Sequence, residues 1–223
     1  MQKEFSPALF LGALLMALSG PSLAARGYEG YHDVIDASPW FDGAKSTIDD
    51  QNTTVGSIGT AAWCGIDNGG TGGMKWIQGG WVKWKDSDPQ IYWEYTDKDG
   101  NYDRGYDQAP GGSETYEQSK KSLNAEWKHG DTVYKTVAWS KFNTIEYKKV
   151  EYTAEMVDSP DDHTPGKAAS KNNFAASMGR RAGSEFASTG LANPSQPTAQ
   201  QGNVEKYGDE GSGNFRTWDS RND

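Results

Sequence analysis

A single cysteine, Cys64, is the first scarcity in this 223-residue chain. It excludes an intrachain disulfide, so a domain exported from the cytoplasm has to be held by its core. Basic residues are short as well: 22 Lys and Arg face 31 Asp and Glu, a net charge of -9. A general nucleic-acid binder needs a basic footprint that this balance does not supply. Leucine and alanine are sparse beyond the N-terminus and 27 glycines interrupt the chain, which argues against a helical bundle. Long apolar runs are missing too. Ala8 to Leu18 is too short to span a bilayer. Followed by Ser22-Leu23-Ala24, it reads as a secretory signal over residues 1–24. The expectation is a mature protein outside the cytoplasm, extracellular or periplasmic, with no membrane segment.

Aromatic residues, by contrast, are plentiful, with nine Trp, eleven Tyr and seven Phe. Disordered chains lack aromatics, so full disorder is excluded. Gly59 to Ile66 reads as a strand, and Lys75 to Lys85 as a second with apolar groups on both faces. In the second, Trp76, Gln78, Val82 and Trp84 share one face, and Ile77 and Trp81 the other. Gln90 to Thr96 alternates cleanly and ends at a Lys98-Asp99-Gly100-Asn101 hairpin turn. Thr132 to Trp139 is a further strand, and Thr144 to Val157 holds one or two more. Strands at this spacing without helical intervals predict an antiparallel β-sandwich or barrel.

Domain organisation follows from where that pattern stops. Residues 25–56 are polar and read as an irregular lead-in or short propeptide. Residues 57–178 form the β-sandwich domain. From about Ala175 the composition turns to Gly, Ser, Asn, Gln, Thr and Pro, with Leu191, Val204, Phe215 and Trp218 scattered. Residues 179–223 are therefore expected to be a disordered polar tail, too poor in apolar surface to offset its ordering entropy.

Metal chemistry has little support. His32, His129 and His163 lie far apart, without partners at ligand spacing. Asp97, Asp99, Asn101 and Asp103 imitate a calcium loop, but the glycine is misplaced and no Glu closes it. No Gly-x-Ser-x-Gly elbow is present. Cys64, beside Ala61-Ala62-Trp63 and Ile66, reads as a small buried hydrophobe. Asn52-Thr53-Thr54 is a glycosylation acceptor where the host glycosylates.

The informative feature is polar side chains among aromatics. Gln78 sits between Ile77 and two glycines in the most Trp-rich stretch. Glu94 sits in Tyr92-Trp93-Glu94-Tyr95, and Glu155 in Tyr152-Thr153-Ala154-Glu155-Met156-Val157. Each could lie on the solvent face of a half-buried strand. Trp76 and Trp84 on the face of Gln78 instead suggest an aromatic groove, and the glycines would admit a ligand backbone.

Gly59-Thr60-Ala61-Ala62-Trp63-Cys64-Gly65-Ile66-Asp67, then Trp76-Ile77-Gln78-Gly79-Gly80, then Tyr92-Trp93-Glu94-Tyr95 resembles the eqolisin-type glutamic peptidases in order and spacing. The resemblance covers about residues 57–175. It implies two bent antiparallel sheets in a lectin-like, concanavalin-like jelly roll, with a peptide groove across one face. It also implies a catalytic Gln and Glu. The Gln is Gln78, and Trp63, Asp67, Glu94 and Trp76 fall at groove and substrate-binding positions. The Glu is Glu155 or Glu126. Ala125-Glu126-Trp127 has the family's local tripeptide but comes too early in the strand order; Ala154-Glu155-Met156 comes at nearly the right interval, so Glu155 is chosen. Met156 replaces the usual Trp.

The implied reaction is hydrolysis of peptide bonds in acid, with Glu as general base on water and Gln as oxyanion donor. Neither group needs a metal or another cofactor. Two other readings stay open on the same sandwich. One is a carbohydrate-binding module stacking sugars on Trp76, Trp84, Trp93 and Tyr95. The other is a structural or interaction protein that has lost catalysis.

Overall fold

The computed structural model describes residues 27–50, 55, 58–70, 72–108, 112–157, 163–189, 191, 193–195, 202–209 and 211–222. The expected leader 1–24 and the Asn52 acceptor lie outside them. Among the described residues sixteen strands follow one another: β1 (Gly27–Val34), β2 (Phe41–Asp50), β3 (Gly59–Asp67), β4 (Trp76–Trp84), β5 (Gln90–Thr96), β6 (Tyr102–Gln108), β7 (Gly112–Lys121) and β8 (Asn124–His129). Then come β9 (Thr132–Ala138), β10 (Lys149–Val157), β11 (Gly166–Lys167), β12 (Ser170–Arg181), β13 (Ala187–Ser188), β14 (Asn193–Ser195), β15 (Gly202–Lys206) and β16 (Phe215–Asp219). Among the described residues there is no α-helix.

The strands form two antiparallel sheets. The first runs β14-β1-β10-β3-β4-β5-β6 and the second β15-β16-β12-β2-β7-β8-β9, with β11 and β13 added to β12. The expected all-β sandwich is what the chain adopts. Its core lies between the sheets, where alternate residues of each strand point inward. The first sheet contributes Ala62, Cys64, Ile66, Ile77, Trp81 and Tyr152; the second contributes Ala44, Ile48, Tyr116, Trp127, Phe174 and Phe215. Aromatic rings join the layers, with Trp93 and Trp127 centroids 6.1 Å apart and Tyr31 and Phe215 5.1 Å apart.

Two expected boundaries are wrong. The described residues of the expected lead-in 25–56 are not irregular, since β1 pairs with β10 and β2 pairs with β7 and β12 along nearly their whole lengths. The described residues of the expected tail 179–223 are not a disordered segment, since β15 and β16 extend the second sheet and β14 edges the first. The domain therefore does not end at 178. The physical reason is that these strands need few apolar residues. Phe215 is fully buried and stacks on Phe174 at 4.4 Å, Leu191 is buried, and Val204 packs on the same core. Polar groups fill the remaining inward positions by bonding one another. Ser46 and Ser177 hydroxyls lie 2.9 Å apart, and the buried Asp219 carboxylate accepts from Arg221 Nε at 2.9 Å. A hydrogen-bonded polar interior stabilises a strand without the composition that announces one.

Candidate functional site

The site is built by register. Strands β10, β3, β4 and β5 lie side by side, and on the face turned away from the second sheet their residues fall into rows. Glu155 is level with Ala61, Val82 and Gln90. In the next row, Thr153 is level with Trp63, Gly80, Tyr92 and, on β6, Tyr106. Below it, Glu151 is level with Gly65, Gln78, Glu94 and Arg104. Last, Lys149 is level with Asp67 and Trp76. All six residues singled out in the sequence thus share this one open face.

Two glycines shape the rows. At Gly80, between Trp63 and Tyr92, a Cβ would lie 2.1 Å from the Ala62 carbonyl oxygen, so only glycine fits between these two residues. At Gly65, beside Gln78, a Cβ would meet the Gln78 Cβ at 2.7 Å. The Gln78 side chain therefore rises from a cleared stretch of sheet.

Hydrogen bonds then orient the polar groups. Gln78 Nε2 donates to Glu94 Oε1 at 2.6 Å and to the Tyr92 hydroxyl at 3.2 Å. A carboxylate only accepts, which fixes the NH2 end of the amide toward Glu94. The Tyr102 hydroxyl donates to the other oxygen, Glu94 Oε2, at 2.5 Å. Glu94 is thus held between two donors in charge-assisted bonds. Trp63 Nε1 donates to Glu155 Oε2 at 2.9 Å. Gln78 and Glu155 stand two rows apart, and the row between them supplies a partner to each: Tyr92 to Gln78 and Trp63 to Glu155.

The second sheet holds this layer from beneath. Trp127 Nε1 donates to the Gln78 carbonyl at 2.9 Å, and the Tyr134 hydroxyl donates to the Tyr92 carbonyl at 3.3 Å. Rigid backbone support of this kind keeps functional side chains in one geometry.

Electrostatics differ along the face. Burial pushes the Tyr92 hydroxyl well above its ordinary range, and the charges of Glu94 and Glu155 push it further. Burial and the adjoining Glu94 do the same to Tyr102. Both phenols stay protonated donors throughout the pH range of a working protein. Burial raises the Asp67 carboxyl to about 6 despite Lys149, whose Nζ lies 3.9 Å from Asp67 Oδ2. Lys149 also pairs with Glu151 at 2.9 Å. His32, level with Glu151 on β1, is lowered by burial and then by Lys149. One end of the face is therefore a set of mutually compensating charges. The other end is apolar, with Ala61, Val82 and Tyr92 packed together against Trp63 and Trp84.

Several sequence readings change here. Glu126 belongs to β8 in the second sheet, between the inward-facing Ala125 and Trp127, so it points away from the core and from this face. The four-ring sugar platform is also divided. Trp76 and Trp84 lie on the open face, whereas Trp93 and Tyr95 turn inward onto Trp127, at 6.1 and 5.8 Å. The calcium-like loop is a hairpin turn closed on Asp97, which accepts from the Asp99 and Asn101 amides at 3.0 and 2.9 Å. Tyr92 and Tyr102 escaped the sequence reading. Tyr92 was legible by alternation, two residues before Glu94, but Tyr102 needed the β5–β6 register.

No family model matches the sequence, and no curated protein matches it. Solved structures do match. A crystal structure of scytalido-glutamic peptidase with a transition state analog inhibitor aligns at TM-score 0.60 and 15% identity, covering 86% of this chain and 98% of that one. A second, with a peptide based transition state analog, aligns at TM-score 0.58 and 14% identity, covering 87% and 98%. A Bacillus licheniformis beta-glucanase aligns at TM-score 0.43 and 12% identity, covering 64% and 70%, a level that carries no argument. The likeness to the glutamic peptidase, carried in the sequence by three short motifs, therefore covers most of both chains, and it shows the fold.

Proposed function

We propose that this protein is a secreted endopeptidase that hydrolyses extended peptides in acid, with Glu155 and Gln78 as its catalytic pair. One observation carries the reading. On a fold shared with scytalido-glutamic peptidase, a carboxylate and an amide stand on one open sheet face, each oriented by an aromatic residue of the row between them. That relative's complex with a peptide based transition state analog favours a peptide as the substrate.

A peptide lies across the rows with its scissile carbonyl over Gly80. Glu155 takes one proton from a water whose oxygen attacks the carbonyl carbon. The carbonyl oxygen becomes an oxyanion and accepts from the Gln78 amide. Collapse breaks the C–N bond, and the proton held by Glu155 passes to the leaving nitrogen, giving a carboxylic acid and an amine. Trp63 orients Glu155, Glu94 orients Gln78, and Asp67 and Trp76 line the substrate path beyond. A carboxylate base is ordinarily ionised above about pH 4, which places such activity in acid.

The test is incubation of residues 25–223 with denatured protein from pH 3 to 7 beside Glu155→Gln. The expected result is fragments from the wild type, most in acid. Glu155→Gln should lose about 10³-fold or more in kcat with an unchanged melting temperature. Equal turnover by the variant removes Glu155 from the base role, and no fragments at any pH removes the peptidase reading.

A further inference from the structure

Both hydrogens of the Gln78 NH2 are engaged before any substrate arrives. One goes to Glu94 at 2.6 Å and the other to the Tyr92 hydroxyl at 3.2 Å. The first bond is short and charge-assisted, so that hydrogen stays where it is. An oxyanion served by Gln78 alone would have to break the second. The Tyr92 hydroxyl, however, uses only its oxygen as an acceptor from Gln78. Among the described residues it has no other hydrogen-bond partner, which leaves its own hydrogen to donate.

Its placement suits that role. Tyr92 is level with Trp63 and with Gly80, which carries no side chain between them. Its ring is fixed by packing on Ala61 and Val82 and against Trp63 and Trp84, and its backbone carbonyl is held by the Tyr134 hydroxyl. Accepting a hydrogen bond from an amide that is itself bonded to a carboxylate polarises the chain Glu94–Gln78–Tyr92, as linked hydrogen bonds do. A rigid phenol needs no reorganisation when the oxyanion forms.

We propose that the Tyr92 hydroxyl is a second oxyanion donor, acting with the Gln78 amide on the carbonyl oxygen of the scissile peptide. The inference rests on the peptidase reading above and adds a catalytic residue to it. In the resting state Gln78 bonds Tyr92. When the tetrahedral oxyanion forms, Tyr92 donates to it, and the Gln78 hydrogen either follows or continues to polarise the phenol.

The experiment is steady-state kinetics of wild type, Tyr92→Phe, Gln78→Ala and the double variant on an internally quenched peptide. Binding of an uncleavable substrate-like peptide and of a tetrahedral transition-state analogue is measured alongside. Tyr92→Phe should lower kcat about 10²–10³-fold, the cost of one oxyanion donor, and leave KM within about twofold. Affinity for the tetrahedral analogue should fall by a similar factor, and affinity for the substrate-like peptide should hold. A Tyr92 that merely kept Gln78 in place would add nothing to the Gln78→Ala loss, whereas a donor adds about tenfold or more in the double variant. Unchanged kcat in Tyr92→Phe, or no further loss in the double variant, overturns the proposal while leaving the peptidase reading standing. An inactive wild type that binds neither peptide nor analogue overturns both. Should Tyr92→Phe fail to fold, 3,5-difluorotyrosine at position 92 keeps the shape and acidifies the hydroxyl. A severalfold change in kcat at constant KM then supports the donor, and an unchanged kcat overturns it.

Discussion

On the inward face of β4, Trp81 is fully buried and Ile77 is 2% exposed; one residue away, on the outward face, Gln78 and Trp76 are only half-buried. The same strand obeys two rules. Inward, large rings fill space and their polar atoms are spent on backbone, as where Trp81 Nε1 donates to the Asp49 carbonyl at 2.9 Å. Outward, Gly80 carries no side chain between Trp63 and Tyr92, and polar atoms are spent on one another, as where Gln78 Nε2 donates to Glu94 Oε1 at 2.6 Å. Inward residues should therefore control stability and outward ones chemistry. Asp67 is the exception that tests the division, since it faces outward yet is buried and costs stability when charged.

Substitutions can break this comparison. The largest effect on either face is the loss of turnover expected of Glu155→Gln, with the melting temperature untouched. Next is Trp81→Ala on the inward face. Removing a fully buried Trp from a core costs about 3–5 kcal/mol, and chemical denaturation should show it directly. Asp67→Asn comes third and has a sign. The Asp67 carboxyl is raised to about 6 in the fold, above its ordinary 3.8. Its contribution is therefore fully present below about pH 4 and is lost as pH rises through 6. The Asn variant should be more stable than wild type at pH 7, on the order of 3 kcal/mol, and no more stable at pH 4. Denaturation midpoints at the two pH values check this, and a gain of equal size at both would refute it. The smallest effect is Lys98→Ala, which removes an exposed 2.7 Å pair with Asp99 at the hairpin tip. A change under about 0.5 kcal/mol is expected there.

The centre of the first sheet was legible in the sequence, whereas in the second only β9, read as Thr132 to Trp139, was. β3, β4 and β5 carry Ala62, Ile66, Ile77, Trp81, Ile91 and Tyr95 inward, and this strong alternation marks their ends to within a residue or so. The second sheet turns Ser46, Gln118, Asn172, Ser177, Thr217 and Asp219 inward, all buried. Such strands bury too few apolar groups to be told from loops by composition. They hold because their polar groups find partners across the layers, as where the Cys64 thiol donates to Gln118 Oε1 at 3.2 Å. The same cause hid β1, β2 and the C-terminal strands. At the candidate site, Gln78, Glu94 and Trp63 were legible because each sits in a compact motif with strand alternation. Glu155 was ambiguous with Glu126 because the choice depended on which sheet each strand joins. Tyr102 was invisible because its contact with Glu94 crosses a hairpin whose register the sequence does not state.

The wiring of the sheets has a consequence for how the chain is made. β1 lies between β10 and β14, so residues near 30 settle beside residues near 153 and 195. β2 is bracketed by β7 and β12, and β16 closes against β12 only with residues 215–217. A ribosome releasing this protein from its N-terminus delivers β1 and β2 long before their neighbours exist. Neither sheet can close until nearly the whole chain has emerged, so the sandwich assembles late, through contacts distant in sequence. Folding in the millisecond-to-second range of such topologies follows, with the unpaired early strands open to association until the last partner arrives.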